Sequence, residues 1–172
     1  MADSTVLSVT QENAAGTFFS FRTYQDGVYW NAEVQIMNLI VCLDDNNGMA
    51  FNERRQSRDR TLTRKMIEML NGHRVWMSPA SAKMFLDVPD GIVISSDHYL
   101  QEAGINDFCF VETDDLTAFT AEIQSITVFR WNRVYPADLI FPIDLSAWRK
   151  FYTEDFEGSS HEKITREMYV RE

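Results

Sequence analysis

The chain has 172 residues, 45% of them apolar and 24% charged, and a formal net charge of −10. This is the make-up of one ordinary globular domain, large enough to bury a core without a metal or a disulfide. Only 7 Gly and 4 Pro exclude long flexible linkers, and no apolar run approaches the roughly 18 residues of a membrane span.

Residues 4–9 and 17–22 alternate apolar and polar side chains, the period of a half-buried strand. Residues 28–43 begin with Tyr29 and Trp30 and alternate through Val34 and Ile36. They become continuously apolar at 39–43, as a strand buried on both faces does. Asp44-Asp45-Asn46-Asn47-Gly48 is a turn, because Asx side chains bond their own backbone and Gly takes positive φ.

The first helix is predicted over 60–71. Leu62, Met66, Met69 and Leu70 form one apolar stripe, Asp59 is the N-cap and Gly72 the C′ residue. A strand at 73–77 follows, then Ser78-Pro79 opens a helix through 86 as N-cap and N1. Residues 91–95 read as a strand, 97–103 as a short helix with Asp97 at its N-cap, and 107–112 as a strand. Thr113 caps a helix over 114–123 that carries Leu116, Phe119 and Ile123 on one face, and 125–131 returns as a strand. Ser159-Ser160-His161-Glu162 has the form of a capping box, so a C-terminal helix is expected, supported by the pairs Glu162–Arg166 and Lys163–Glu167. Together these elements predict a single globular α+β domain over 1–172, with a mixed, largely antiparallel central sheet and packed helices.

Chemical motifs are scarce. His73, His98 and His161 are far apart in sequence and form no His-x-His or His-x₃-His pair, so no metal site is expected. There is no Gly-x-Ser-x-Gly elbow, no phosphate-binding Gly-rich loop and no dinucleotide fingerprint, so neither a catalytic residue nor a cofactor is assigned. Asp97-His98 is the least implausible catalytic fragment, in a small metal-dependent hydrolase or nuclease. Cys42 and Cys109 lie in apolar runs and read as buried free thiols, which silences them as nucleophiles. The N-terminus has no basic, apolar leader, so a cytoplasmic location is expected.

Charge is the most informative feature. Residues 84–129 hold nine acids and no Lys or Arg, whereas the other 126 residues carry 16 basic and 17 acidic groups. A field this lopsided repels nucleic acid and attracts a cationic partner. Against it stands one basic cluster: Arg54, Arg55, Arg58, Arg60, Arg64 and Lys65. It offers guanidinium forks for phosphate but no interleaved aromatic for base stacking. Internal pairing with the acidic segment is the alternative.

The candidate partner-binding residues are Asp107, Glu112, Asp114 and Asp115 from the acidic segment, with Trp131, Arg133 and Tyr135. The last three stand two apart and share a face if the strand continues. Otherwise Trp131 and Tyr135 cap the core and Arg133 pairs with Asp138. The runs Phe129–Asp138 and Thr153–Glu167 resemble segments of small orphan bacterial proteins. In size, acidity and lack of motifs the chain is similar to the immunity proteins of polymorphic and contact-dependent inhibition toxin systems. That resemblance implies a protein that neutralises a cognate basic toxin domain, often a nuclease, by occluding it. An adaptor or accessory protein is the remaining alternative.

Overall fold

A computed structural model describes residues 7–12, 18–23, 37–105 and 107–171. The chain forms two compact units, Met1–Gln35 and Ile36–Glu172. In the first, β1 (Leu7–Glu12) and β2 (Phe18–Thr23) pair antiparallel, with Leu7 opposite Thr23 and Glu12 opposite Phe18. Residues 28–36 of the long predicted strand lie outside the described residues.

The second unit begins with β3 (Met37–Leu43), β4 (Gly48–Phe51), β5 (Arg54–Arg55) and helix α1 (Arg60–Leu70). Then come β6 (Val75–Met77), helix α2 (Pro79–Ala82), β7 (Val93–Ser95), helix α3 (Tyr99–Glu102) and β8 (Phe108–Val111). A 3₁₀ turn at Thr117–Glu122 leads to β9 (Ile123–Arg130) and β10 (Leu139–Ile140). A second, at Leu145–Ala147, leads to β11 (Arg149–Phe156) and β12 (Ile164–Val170). Seven strands make the central sheet in the order β11-β12-β9-β3-β8-β6-β7, and β10-β4-β5 form a small second sheet.

The expected α+β class, with a mixed sheet and packed helices, is what the chain adopts. The balance within the central sheet differs from a largely antiparallel one. Pairings β9–β3, β3–β8, β8–β6 and β6–β7 are parallel, and β12–β9 and β11–β12 are antiparallel. The cause is the crossover segments: α1, α2 and α3 each lie between two parallel strands in sequence, which hairpins cannot join.

Strand β3 shows how the core is split. Leu39, Val41 and Leu43 face one cluster with Tyr99, Leu100, Leu116 and Phe141. Ile40 and Cys42 face the other, which contains Leu62, Met66 and Leu70 of α1 with Phe85, Phe110 and Trp131. Period-2 alternation of a wholly apolar strand thus feeds two cores, as expected for a central parallel strand. Both cysteines are free and buried, and burial pushes both thiols up in pKa. Among the described residues no helix is long and apolar enough to cross a membrane.

The caps of the first two helices are as predicted. Asp59 accepts from the Thr61 and Leu62 amides, and Ser78 from the Ser81 amide. Asn71, at φ 48°, is the left-handed C-cap of α1, and Gly72, at φ 86°, follows it at C′ as expected. Three expectations are corrected. Helix α2 stops after four residues. In place of the helix expected over 114–123 there is a short 3₁₀ turn at Thr117–Glu122, with Asp115 and not Thr113 capping the Thr117 amide. Asp97 is not an N-cap: His98 holds that position and its amide bonds Ser96 Oγ.

The largest correction is at the C-terminus. Residues 164–170 are a strand, and among the described residues no helix follows Ser159. Ile164 and Tyr169 are buried, and Arg166 and Glu167 are spoken for across the sheet. Arg166 reaches Glu154 at 3.1 Å, and Arg130 and Lys150 reach Glu167 at 3.3 and 3.6 Å. Cross-strand partners thus replace the i, i+4 pairs that a helix would use.

Candidate functional site

In open sheets with parallel strands, ligands bind beyond the carboxyl ends of those strands. Here that edge is marked by Asp44 after β3, Ser78 after β6, Glu112 after β8 and Trp131 after β9. Each is committed to an internal contact. Asp44 is fully buried and accepts from the amides of Asn46, Gly48 and Tyr135 and from Gln56 Nε2. Burial pushes its carboxyl up, but these four donors outweigh that and hold it below the usual range.

Asp59 is the hub of the edge. Besides the two α1 amides, it accepts from the Ser159 and Ser160 amides, from Ser160 Oγ and from His161 Nδ1 at 3.1 Å. A carboxylate has no proton to give, so Nδ1 is the donor in the last bond. Burial pushes the Asp59 carboxyl up, yet the Ser160 and Ser159 amides, His161 and the Leu62 amide overcome it and hold the group far below the usual range. The Asp59–His161 pair ties the start of α1 to the loop before β12 across about a hundred residues of sequence. Gly158 lets that loop approach, since an added Cβ there would sit inside the Asp59 carboxylate. Gly158→Ala is expected to lower stability by about 1–3 kcal/mol, the usual penalty of overpacking, read from the midpoint of a urea melt.

On its other side His161 Nε2 meets Tyr135 Oη at 3.0 Å and Ser57 Oγ at 3.2 Å, and the ring stacks on Trp131 at 4.7 Å. The order Ser57–His161–Asp59 is that of a hydrolytic triad. It is not built as one. The cavity beside Ser57 is about 10 Å³, which barely admits a water molecule, and His161 is only 4% exposed. The network is a fastener.

Glu112 is also buried. Its carboxylate receives Arg55 Nε at 3.0 and 3.1 Å and Ser81 Oγ at 2.7 Å, and Arg55 Nη2 continues to the Ala80 carbonyl. Burial dominates and pushes the Glu112 carboxyl up, against the pull of Ser81 and Arg55. One arginine of the basic cluster is therefore paired internally with the acidic segment.

The seven candidate partner-binding residues do not form one surface. Asp107, Glu112 and Trp131 are buried. Asp107 is held by Arg74, the Trp76 indole and the Gly104 amide. Asp114 accepts from the Tyr99 hydroxyl and Asp115 from Thr117. Strand β9 ends at Arg130, so Trp131, Arg133 and Tyr135 do not share a strand face. Arg133 is exposed, while Asp138 accepts from the Asn52 amide instead of pairing with it.

Among the described residues an open groove runs between the N-terminal half of α1 and residues 83–89. It has two adjoining lobes of about 450 and 460 Å³. The inner lobe is lined by Arg58, Arg60, Thr63, Lys83 and Ser159, with the buried Asp59 as its sole carboxylate. The outer lobe shares Met84 with it and adds Ile67, Phe85 and Val88, together with Arg64, Glu68 and Asp87. Arg58, Arg60 and Lys83 are exposed, and among the described residues none of them forms an ion pair. Sequence reading registered the arginines but not Lys83, which stands alone in the chain and meets them only where residues 83–89 pass α1. Among the described residues no cluster of His, Cys, Asp and Glu is arranged to hold a metal.

No family model and no curated protein matches the sequence. Among solved structures the chain is similar to a dihydrofolate reductase from Enterococcus faecalis complexed with NADP(H) and RAB-propyl. The TM-score is 0.55 at 13% identity, over 79% of this chain and 96% of that one. The likeness gives the fold: dihydrofolate reductase-like. It overturns the resemblance to immunity proteins and the toxin-inhibitor function drawn from it, since the chain shares its architecture with a reductase. The burial of Asp107, Glu112 and Trp131 runs the same way, because an inhibitor's steering charges and anchors stand at the surface.

Proposed function

We propose that the protein binds a phosphorylated small molecule of nucleotide size in the groove between α1 and residues 83–89. The observation that carries this is the charge of the inner lobe. In a protein of net charge −10, Arg58, Arg60 and Lys83 stand together, exposed, with no ion-pair partner among the described residues. Guanidinium and ammonium groups so placed match phosphate oxygens. The adjoining Ile67, Met84, Phe85 and Val88 supply an apolar bed for a flat heterocycle. NADP(H), the ligand of the reductase with this fold, belongs to that chemical class.

A dinucleotide laid across the centre of the carboxyl edge does not fit these residues. A pyrophosphate there would meet Asp44, Glu112 and Asp114. The nearby donors are consumed: the Asn46 and Gly48 amides by Asp44, and the Ser81 amide by Ser78. Pro79 has no N–H to offer. The phosphate therefore goes to the flank, where the cations are, and no hydride-transfer step is assigned.

Titration calorimetry with ATP, NADPH and inorganic pyrophosphate tests this. At least one probe is expected to bind, with its Kd rising roughly tenfold between low and about 0.3 M salt. An Arg60→Glu, Lys83→Glu double variant is expected to weaken binding at least about tenfold, a loss of ~1.4 kcal/mol. No heat from any probe, or binding indifferent to that variant, would refute the reading.

A further inference from the structure

Strand β11 ends the central sheet, and among the described residues its sole partner is β12. Its eight residues, Arg149-Lys150-Phe151-Tyr152-Thr153-Glu154-Asp155-Phe156, are mostly exposed, and Phe151 and Tyr152 are 50% and 38% exposed. An open edge with aromatic side chains is a template for another strand.

The sequence of this edge is antisymmetric in charge. Its cations are at one end, its anions at the other, and its aromatics lie between. The register adds a second match. Arg149, Tyr152, Glu154 and Phe156 oppose Val170, Met168, Arg166 and Ile164. Lys150, Thr153 and Asp155 oppose Tyr169, Glu167 and Thr165. Neighbours along β12 alternate faces, so the irregularity between Lys150 and Tyr152 puts Arg149 on the face of Glu154 and Lys150 on the face of Asp155. A second β11 running antiparallel would bring the cationic end of each strand against the anionic end of the other, like face to like face. The pairs that meet are Arg149 with Glu154 and Lys150 with Asp155. Glu154 is already held by Lys65 and Arg166. Lys150 and Asp155 are exposed, Lys150 has only a 3.6 Å contact with Glu167, and Asp155 has no ion pair among the described residues.

We infer that β11 is a self-association edge and that its occupant is β11 of a second copy, giving a two-fold dimer with a sheet continued across the interface. One strand buries less than a standard interface, so the dimer is a weak one, with a Kd of about 10–100 µM. Sedimentation of the full chain from low micromolar to several hundred micromolar tests this. The wild type is expected to pass from monomer to dimer over that range. Lys150→Glu alone and Asp155→Lys alone, changes on one face, are each expected to weaken self-association at least tenfold, with unchanged circular dichroism. An equimolar mixture of the two is expected to recover a heterodimer within about threefold of the wild type, because opposite charges again meet at both ends. A wild type that stays monomeric would overturn the proposal, as it would if a partner strand from elsewhere in the same chain covered the edge. So would a dimer unaffected by the two variants, or a mixture that does not recover.

Discussion

Asp59→Ala is expected to be the most damaging single substitution in the molecule, costing about 3–5 kcal/mol in a urea melt. Five N–H donors end on this carboxylate, and the Ser160 hydroxyl is shared between it and the Arg58 carbonyl. The cap of α1 alone accounts for about 1 kcal/mol. The rest comes from donors of the 159–161 loop and the His161 ring left buried without their acceptor, in the range found when one partner of a buried pair is removed. Asp59→Asn keeps the shape and is expected to lose roughly half as much. The pH dependence follows from the sign of the shift. The folded-state pKa of Asp59 lies below its unfolded value of about 3.9. Its contribution is therefore complete above that value and is lost as pH falls toward the folded pKa. Asp44 and Asp107 act in the same direction. Melts from pH 7 down to pH 2 should show a wild-type stability that declines below about pH 4, with a shallower decline in Asp59→Asn. An equal slope in both would remove Asp59 from the account of acid sensitivity.

Arg55→Met is the second large effect, expected at about 3 kcal/mol at pH 7, because it leaves the buried Glu112 carboxylate with Ser81 alone. The sign here is opposite to that of Asp59. Glu112 already titrates above the usual glutamate range, and loss of the guanidinium raises it further. The penalty should therefore shrink as pH falls and the carboxyl takes up its proton. The Arg55→Met, Glu112→Met double variant is expected to recover most of the loss, since an apolar pair of similar volume replaces a desolvated ion pair at little cost. A double variant as unstable as the sum of the two singles would show that the residues act independently.

Much of the fold is written locally. The cap of α1 at Asp59, the Ser78-Pro79 start of α2, the Asp44 turn and the two-sided burial of 39–43 follow from side-chain chemistry within a few residues. The C-terminus was misread because Ser159-Ser160-His161-Glu162 satisfies the local rule for a helix start, while its donors serve Asp59, a hundred residues away. Tertiary contacts also gave Arg166 and Glu167 cross-strand partners in place of Glu162 and Lys163. The acidic quarter was conspicuous, but charge counting cannot see burial. Asp107 and Glu112 are held inside by Arg74 and Arg55. The groove was only half legible: its arginines form a visible cluster in the sequence, but Lys83 and the apolar wall join them only through packing.

The most direct test of the groove is amide NMR of the full chain with added pyrophosphate, at low salt. Shift changes confined to Arg58–Thr63, Lys83–Val88 and Ser159–Ser160, saturating with ligand and suppressed in the Arg60→Glu, Lys83→Glu variant, are the predicted result. Changes centred instead on Asp44–Gly48 and Val111–Asp115, or no change at all, would contradict a phosphate-binding groove on the flank of the sheet.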